Sequence, residues 1–383
     1  MVSYLILFII ACIVYSTTRE DNEKSKLILA IYLGGLALFV GCGDMLGGYD
    51  RYIYGEVFDQ LSIATRAGGD LSQTAGYRLF GTEWGYLGFN QLMAYVTLNR
   101  YVFIFTLTIL IYTLLFFSIA RYCEDYPFAV ILFLGLWFFF TFTYLRQVTA
   151  ATIGWLAIRY AINRKPILFF AIVTLAFGFH NSAIVLAPLY FVPQKIYPKV
   201  IILLGLLVCL AIGMSNILGA IVGEADVIVN SARAEENATY LAEGTFRIEY
   251  FIEAMLFIGI ILWNYDVFDE DDPQQTTLLN MAIVFCAILL VFVRSTNGGR
   301  IAWHYMIGLI ATITYIAKYT NFTVIRSGLI IMCSLLYLRI LIVWGAQIAP
   351  YKSFFTNGHR QEDRIYRIYE YDQRYDQDKF YKL

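Results

Sequence analysis

Arg146 stands between two stretches without formal charge, residues 127–145 and 147–158, in the run FTYLRQVTAA. A guanidinium is a planar fork of donors that matches a phosphate or a carboxylate, so a cation kept in such company points to anion binding. Tyr144 and Gln147 flank it with further polar atoms. The plainer alternative is a helix-end arginine that snorkels to a membrane interface. Against that, the turn holding Arg146 has no Gly, Pro or Asn, which keeps the side chain close to helix ends rather than in a loose loop.

Other groups suit the same chemistry. His180 lies in LAFGFHNSAIVLAP, where one apolar run ends and a broken one begins, with Asn181 and Ser182 next. An imidazole, with an ordinary pKa of about 6.5, fits general-base work on a hydroxyl, or it orients a bound anion. The alternative is an ordinary core histidine. The segment RSTNGGRIAWHY carries Arg294, Arg300 and His304. Arg300 and His304 are four apart, so a helix starting there puts both on one face. The Gly298-Gly299 pair before it offers backbone N–H groups at a helix start, an expected anion site. Lipid-headgroup contact is the competing reading of these basic ends. Asp50 and Arg51, in GCGDMLGGYDRYIYGEVFD, and Glu83 and Trp84, in EWGYLGFNQL, add carboxylates, a cation and rings. Tyr49, Tyr52 and Tyr54 fit an aromatic belt or stacking on sugar rings.

The elements that must position these groups are membrane helices. The chain has 383 residues, 59% of them hydrophobic and 15% charged, where a soluble domain has about 25% charged. Apolar runs of spanning length recur throughout and do not alternate, so helices rather than a barrel are expected. The spans predicted are 2–16, 27–46, 101–120, 127–145, 147–162, 166–180, 198–223, 248–264, 277–294, 300–318 and 327–345. Segments 86–98 and 181–191 are short for a crossing and fit re-entrant or half helices lining a cavity. The expected fold is therefore an all-α polytopic membrane bundle of about 11–13 segments. Residues 1–345 form one membrane domain, with an outer loop at 47–100, a second at 224–247 and a charged, tyrosine-rich tail at 346–383.

Basic residues in TTREDNEKSK place that loop inside, by the positive-inside rule. Alternation then puts Arg146, His180, Arg294, Arg300 and His304 on the outer side. A net charge of −1 gives no case for nucleic acid. The six cysteines are scattered and read as apolar fillers. No Walker loop, HExxH or paired Cys/His motif occurs. No cofactor is expected, although Asp44 and Asp50 are the carboxylates a magnesium ion would use. The start of the chain lacks a basic leader and is read as the first membrane helix.

An ordered series of segments resembles the EpsG-type, Wzy-like polysaccharide polymerases of bacterial membranes. It runs through GCGDMLGGYDRYIYGEVFD, EWGYLGFNQL, YLRQVTAATIGWLAIRYAINRKP, FGFHNSAIVLAPLYF, RSTNGGRIAWHY and APYKSFF. The resemblance implies a GT-C-like membrane glycosyltransferase in the cytoplasmic membrane, its active site facing periplasm or outside. It implies transfer of a growing glycan from polyprenyl pyrophosphate to a sugar hydroxyl of the next lipid-linked unit, for O-antigen, capsule or exopolysaccharide. Donor, acceptor and membrane lipid are the partners, and a chain-length regulator is a further one to look for. Arg146, His180 and Arg300 are the positions it marks, with Asp50 the alternative base. Arg294, Gln147, Arg51, His304, Tyr144, Glu83 and Trp84 are expected to touch substrate. A flippase for lipid-linked oligosaccharide is the alternative. It would need basic groups along a path through the bundle, whereas here they gather on one predicted side.

Overall fold

Polar residues at the edges of the apolar runs start the helices. In a computed structural model of the chain, residues 1–18, 22–45, 50–215, 217, 244–295, 298–320, 323–348 and 351–356 are described. Most of the loop 224–247, expected to be a second outer loop, and of the charged tail lie outside them. Ser25 accepts from the Ile28 N–H, Asn99 from Tyr101 and Val102, Asp125 from Phe128, and Asp272 from Gln274 and Gln275. Each side chain satisfies donors that a helix start leaves open, and Pro127 and Pro273 fit where no N–H is needed.

The described residues are helical, with one isolated bridge and no strand among them, so the fold is an all-α membrane bundle. Among them, Arg100–Tyr122, Pro273–Val291 and Thr323–Val343 are long and apolar enough to cross a membrane, and several apolar helices are shorter. The contacts divide the described residues into two compact units. The first takes in those of Met1–Ala157, Phe170–Ile184 and Phe322–Leu383, the second those of Ile158–Phe169 and Val185–Asn321.

The first unit opens with α1 (Val2–Thr17) and α2 (Lys26–Gly41). The expected outer loop is itself mostly helical: α3 (Arg51–Ala67), α4 (Ala75–Phe80) and α5 (Trp84–Val96). Its short apolar piece is the thirteen-residue α5, and α3 packs along it. Next come α6 (Arg100–Tyr122), α7 (Tyr126–Leu136), α8 (Phe140–Thr143) and α9 (Leu145–Trp155). The span expected at 127–145 is thus broken at Trp137–Phe139, and only Tyr144 separates α8 from α9. Trp137 and Trp155 have ring centroids 4.9 Å apart. A continuous helix would hold them about 27 Å apart, so the chain doubles back between them, at Arg146's end of α9.

Helices α10 (Ile158–Ile162) and α11 (Pro166–Phe179) follow, and then a 3₁₀ helix at Asn181–Phe191 that contains Pro188. Eleven residues of 3₁₀ helix is long for that geometry, whose eclipsed side chains and poorer hydrogen bonds usually limit it to a turn. It occupies the short apolar segment at 181–191 for which a re-entrant or half helix is expected.

In the second unit are α12 (Lys199–Met214), α13 (Ile248–Trp263), α14 (Pro273–Val291), α15 (Gly299–Ala302) and α16 (Met306–Tyr319). The span expected at 300–318 is interrupted by a 3₁₀ turn at Trp303–Tyr305. Helix α14 packs on α12, α13 and α16 and forms the centre of this unit. The first unit closes with α17 (Thr323–Val343), which packs on α7, and α18 (Gly345–Ile348).

Candidate functional site

Three helix ends of the first unit meet around Arg146. The first is the turn from α4 into α5, carrying Thr82, Glu83 and Trp84. The second is the start of α9, carrying Arg146 and Gln147, and the third is the end of α11, carrying His180, Asn181 and Ser182. Residues far apart in sequence come together because the chain doubles back before α9 and because α11 stops at Phe179. Asn181 and Ser182 favour that stop, since their side chains compete for backbone groups.

Arg146 is 8% exposed and its Nη1 donates to Glu83 Oε2, itself on a buried side chain. The guanidinium lies 3.7 Å from the Phe80 ring centroid, 5.7 Å from that of Tyr54 and 5.9 Å from that of Tyr86. These rings also touch one another, with centroids 6.1 Å apart for Tyr54 and Tyr86 and 5.8 Å for Phe80 and Tyr86. Ring faces carry negative charge density, so the box stabilises a cation that has lost its water. A buried ion pair with one partner removed costs about 3–5 kcal/mol, so Arg146 requires an anion at all times. Its Nε meets no hydrogen-bond partner among the described residues.

Beside the box runs a chain of polar contacts. Gln147 Nε2 donates to Ser182 Oγ at 3.2 Å, and Ser182 Oγ lies 2.8 Å from His180 Nδ1. The Ser182 backbone N–H donates to the same Nδ1 at 3.2 Å. A backbone amide only donates, so Nδ1 is an acceptor and the neutral ring carries its proton on Nε2. Asn181 Nδ2 donates to Thr82 Oγ1 at 2.9 Å, tying the His180 turn to the Glu83 turn. Trp84 is 52% exposed, and its indole lies against Gly178, where an added Cβ would come within 2.7 Å of the ring. Only glycine permits that approach.

Asp50 reaches the same neighbourhood: its N–H donates to Thr143 Oγ1 at 2.8 Å, one residue from half-buried Tyr144. Arg51 does not. Expected to touch substrate, it is fully buried, and its Nη2 donates to the carbonyls of Gly41 at 3.1 Å and Gly43 at 3.0 Å. Asp44, weighed as a magnesium ligand, accepts instead from Tyr101 Oη at 2.9 Å and from the Met45 N–H at 2.7 Å. Among the described residues no three His, Cys, Asp or Glu side chains gather as a metal ion would need.

Arg294, Arg300 and His304 belong to the second unit. Arg294 donates to the carbonyls of Gly244 at 3.1 Å and Met214 at 3.3 Å, which gives it a structural place. His304 is fully buried and Arg300 half-buried. At Gly298-Gly299, where an anion site is expected, the local contacts are internal to the protein. The helix there is four residues long, Gly298 N–H donates to Ser295 Oγ at 3.0 Å, and Phe292 and Tyr250 fill the space over the two glycines.

Sequence reading missed the aromatic box. Phe80 and Tyr86 carried no signal of their own, and Tyr54 fitted an aromatic belt or a sugar-stacking role rather than a cation box. The pairing of Glu83 with Arg146 was also invisible, because only the tertiary fold brings the two together.

Fold and site together define an all-helical membrane protein with an anion-requiring cation at a meeting of helix ends. Residues 35–353 match the model of the EpsG family, so most of the chain, including every residue named above around Arg146, falls within the match. The chain belongs to the EpsG family, and its role is of the polysaccharide polymerase type. Neither the curated proteins nor the solved structures contain a match to it.

Proposed function

We propose that the protein polymerises lipid-linked oligosaccharide repeat units, moving glycan from polyprenyl pyrophosphate to a sugar hydroxyl on the outer side of the membrane. A glycosyl pyrophosphate brings its own leaving group. The enzyme must neutralise charge as the phosphate–sugar bond breaks and accept the hydroxyl's proton. Arg146 supplies the first need. Preorganised charge in a site shielded from water is the strongest kind of transition-state stabilisation, and this fork is already desolvated among rings. The observation that carries the reading is that buried, carboxylate-paired guanidinium beside the His180–Ser182–Gln147 chain.

His180 takes the role of orienter rather than base. With Nδ1 accepting from the Ser182 N–H, the neutral ring offers Nε2–H as a donor to a diphosphate oxygen. Exposed Trp84 and half-buried Tyr52 suit stacking on sugar rings. Arg300, in the second unit, is tested on its own by Arg300→Gln.

The test is the glycan length profile of a deletion strain complemented with Arg146→Lys or His180→Ala. Long polymer is expected to disappear while single lipid-linked units stay exposed outside. Accumulation of those units inside would replace this reading with that of a flippase.

A further inference from the structure

Resting on the reading just given, we propose that Glu83 is a catalytic residue: it is Arg146's resident counter-ion, it is exchanged for the donor's diphosphate, and once released it takes the acceptor hydroxyl's proton. Arg146 is buried among rings and must always hold an anion. In this structure that anion is the Glu83 carboxylate. The fork that receives a carboxylate receives a phosphate with the same geometry, so the diphosphate is a direct competitor. Arg146 Nε is buried and meets no hydrogen-bond partner among the described residues, so the guanidinium has a donor left over for a larger anion once the carboxylate has moved.

The exchange also resolves where the proton goes. His180 presents an N–H at Nε2, so the neutral imidazole does not accept there. A carboxylate must, and Glu83 is the one already in contact with the cation that receives the leaving group. Its position at the start of α5 follows the Gly81-Thr82 turn, which Asn181 ties to the His180 turn. Both ends of the reacting bond are therefore served by side chains on linked turns.

In the step itself, the acceptor oxygen bonds to the donor's anomeric carbon. The bond from that carbon to the diphosphate oxygen breaks, and its electron pair leaves with the diphosphate, held by Arg146 and His180 Nε2–H. The acceptor proton passes to Glu83 and goes to water when polyprenyl diphosphate departs and the ion pair re-forms. Donor binding thus creates the base, and an empty site has none available for a stray hydroxyl.

The experiment measures binding of a short-chain polyprenyl diphosphate to the full-length protein in lipid nanodiscs, alongside polymer synthesis. Glu83→Gln is expected to bind the diphosphate about tenfold tighter than wild type, because the competitor is gone, while making no polymer. Binding equal to or weaker than wild type, or polymer made at the wild-type rate, would overturn the exchange. Because Glu83→Gln leaves a buried arginine without its carboxylate, wild-type protein provides a second measurement. Carbodiimide labelling at Glu83, mapped by mass spectrometry, should rise on adding the diphosphate; constant or falling labelling counts against exchange. Arg146→Gln separates the two levels. If that variant binds diphosphate as wild type does, the diphosphate site itself is misplaced. If it loses binding and Glu83→Gln gains none, only the exchange fails.

Discussion

Arg51 and Arg146 both open helices of the first unit and are both withdrawn from solvent, yet they are held in opposite ways. Arg51 is gripped by the carbonyls of Gly41 and Gly43. The same stretch is pinned from the other side: Asp44 N–H donates to the Lys352 carbonyl at 3.0 Å and Phe354 N–H to the Cys42 carbonyl at 3.1 Å, about an isolated bridge between Gly43 and Ser353. Tyr351 stacks on Phe39 with centroids 4.0 Å apart and donates to its carbonyl at 2.7 Å. Main-chain carbonyls cannot leave, so this cation is a fixed strut. Arg146 is bound by a side-chain carboxylate, which can swing away and yield its place. Two buried guanidiniums thus differ in whether their partner is replaceable, and that difference is why the proposed chemistry is assigned to Arg146 and not to Arg51.

The contrast is sharpest at Arg146→Lys. It keeps the charge but loses the fork, and polymer synthesis should fall about 10³-fold in membranes containing normal amounts of protein. Arg51→Met should do the reverse. With two buried carbonyls left unpaired, stability in detergent should drop by about 3 kcal/mol, read by thermal unfolding, while polymer made per folded molecule stays near wild type. A matching loss of specific activity would erase the distinction. His180→Ala should cost about 10²-fold in polymer, and His180→Gln, which restores a donor, should recover part of it. Gly178→Ala forces its methyl into the Trp84 indole and should lower activity about tenfold through a displaced ring. The smallest effect belongs to Tyr351→Phe, which removes one hydrogen bond but keeps the stack; about 1 kcal/mol of stability is expected, with no change in glycan length.

Much of this was legible in the sequence, though unevenly. The membrane helices, the short piece at 181–191 and the tight turn at Arg146 follow from hydropathy and from an arginine with no charged neighbours. The break at Trp137–Phe139 and the 3₁₀ turn at Trp303–Tyr305 do not, because neither three-residue stretch contains Gly or Pro and hydropathy is blind to local helix geometry. Arg51 and Arg146 looked alike as cations at the edges of apolar runs. What tells them apart is the atom each donates to: for Arg51 two carbonyls 10 and 8 residues back, for Arg146 a carboxylate 63 residues away. Gly298-Gly299 is a related case: spacing marks where N–H groups start a helix, but not that Gly298 N–H is taken by Ser295 Oγ or that Phe292 and Tyr250 crowd the two glycines.

The clasp between residues 42–44 and 351–356 joins opposite ends of the polypeptide, and the whole of the second unit's main stretch is translated between them. During synthesis, therefore, this clasp closes only after the ribosome has delivered Thr323–Val343 and the few residues beyond it, although the carbonyls that hold Arg51 are made before it. A prematurely terminated product would carry Arg146, Glu83 and His180 yet lack every contact that residues 351–356 make with residues 42–44.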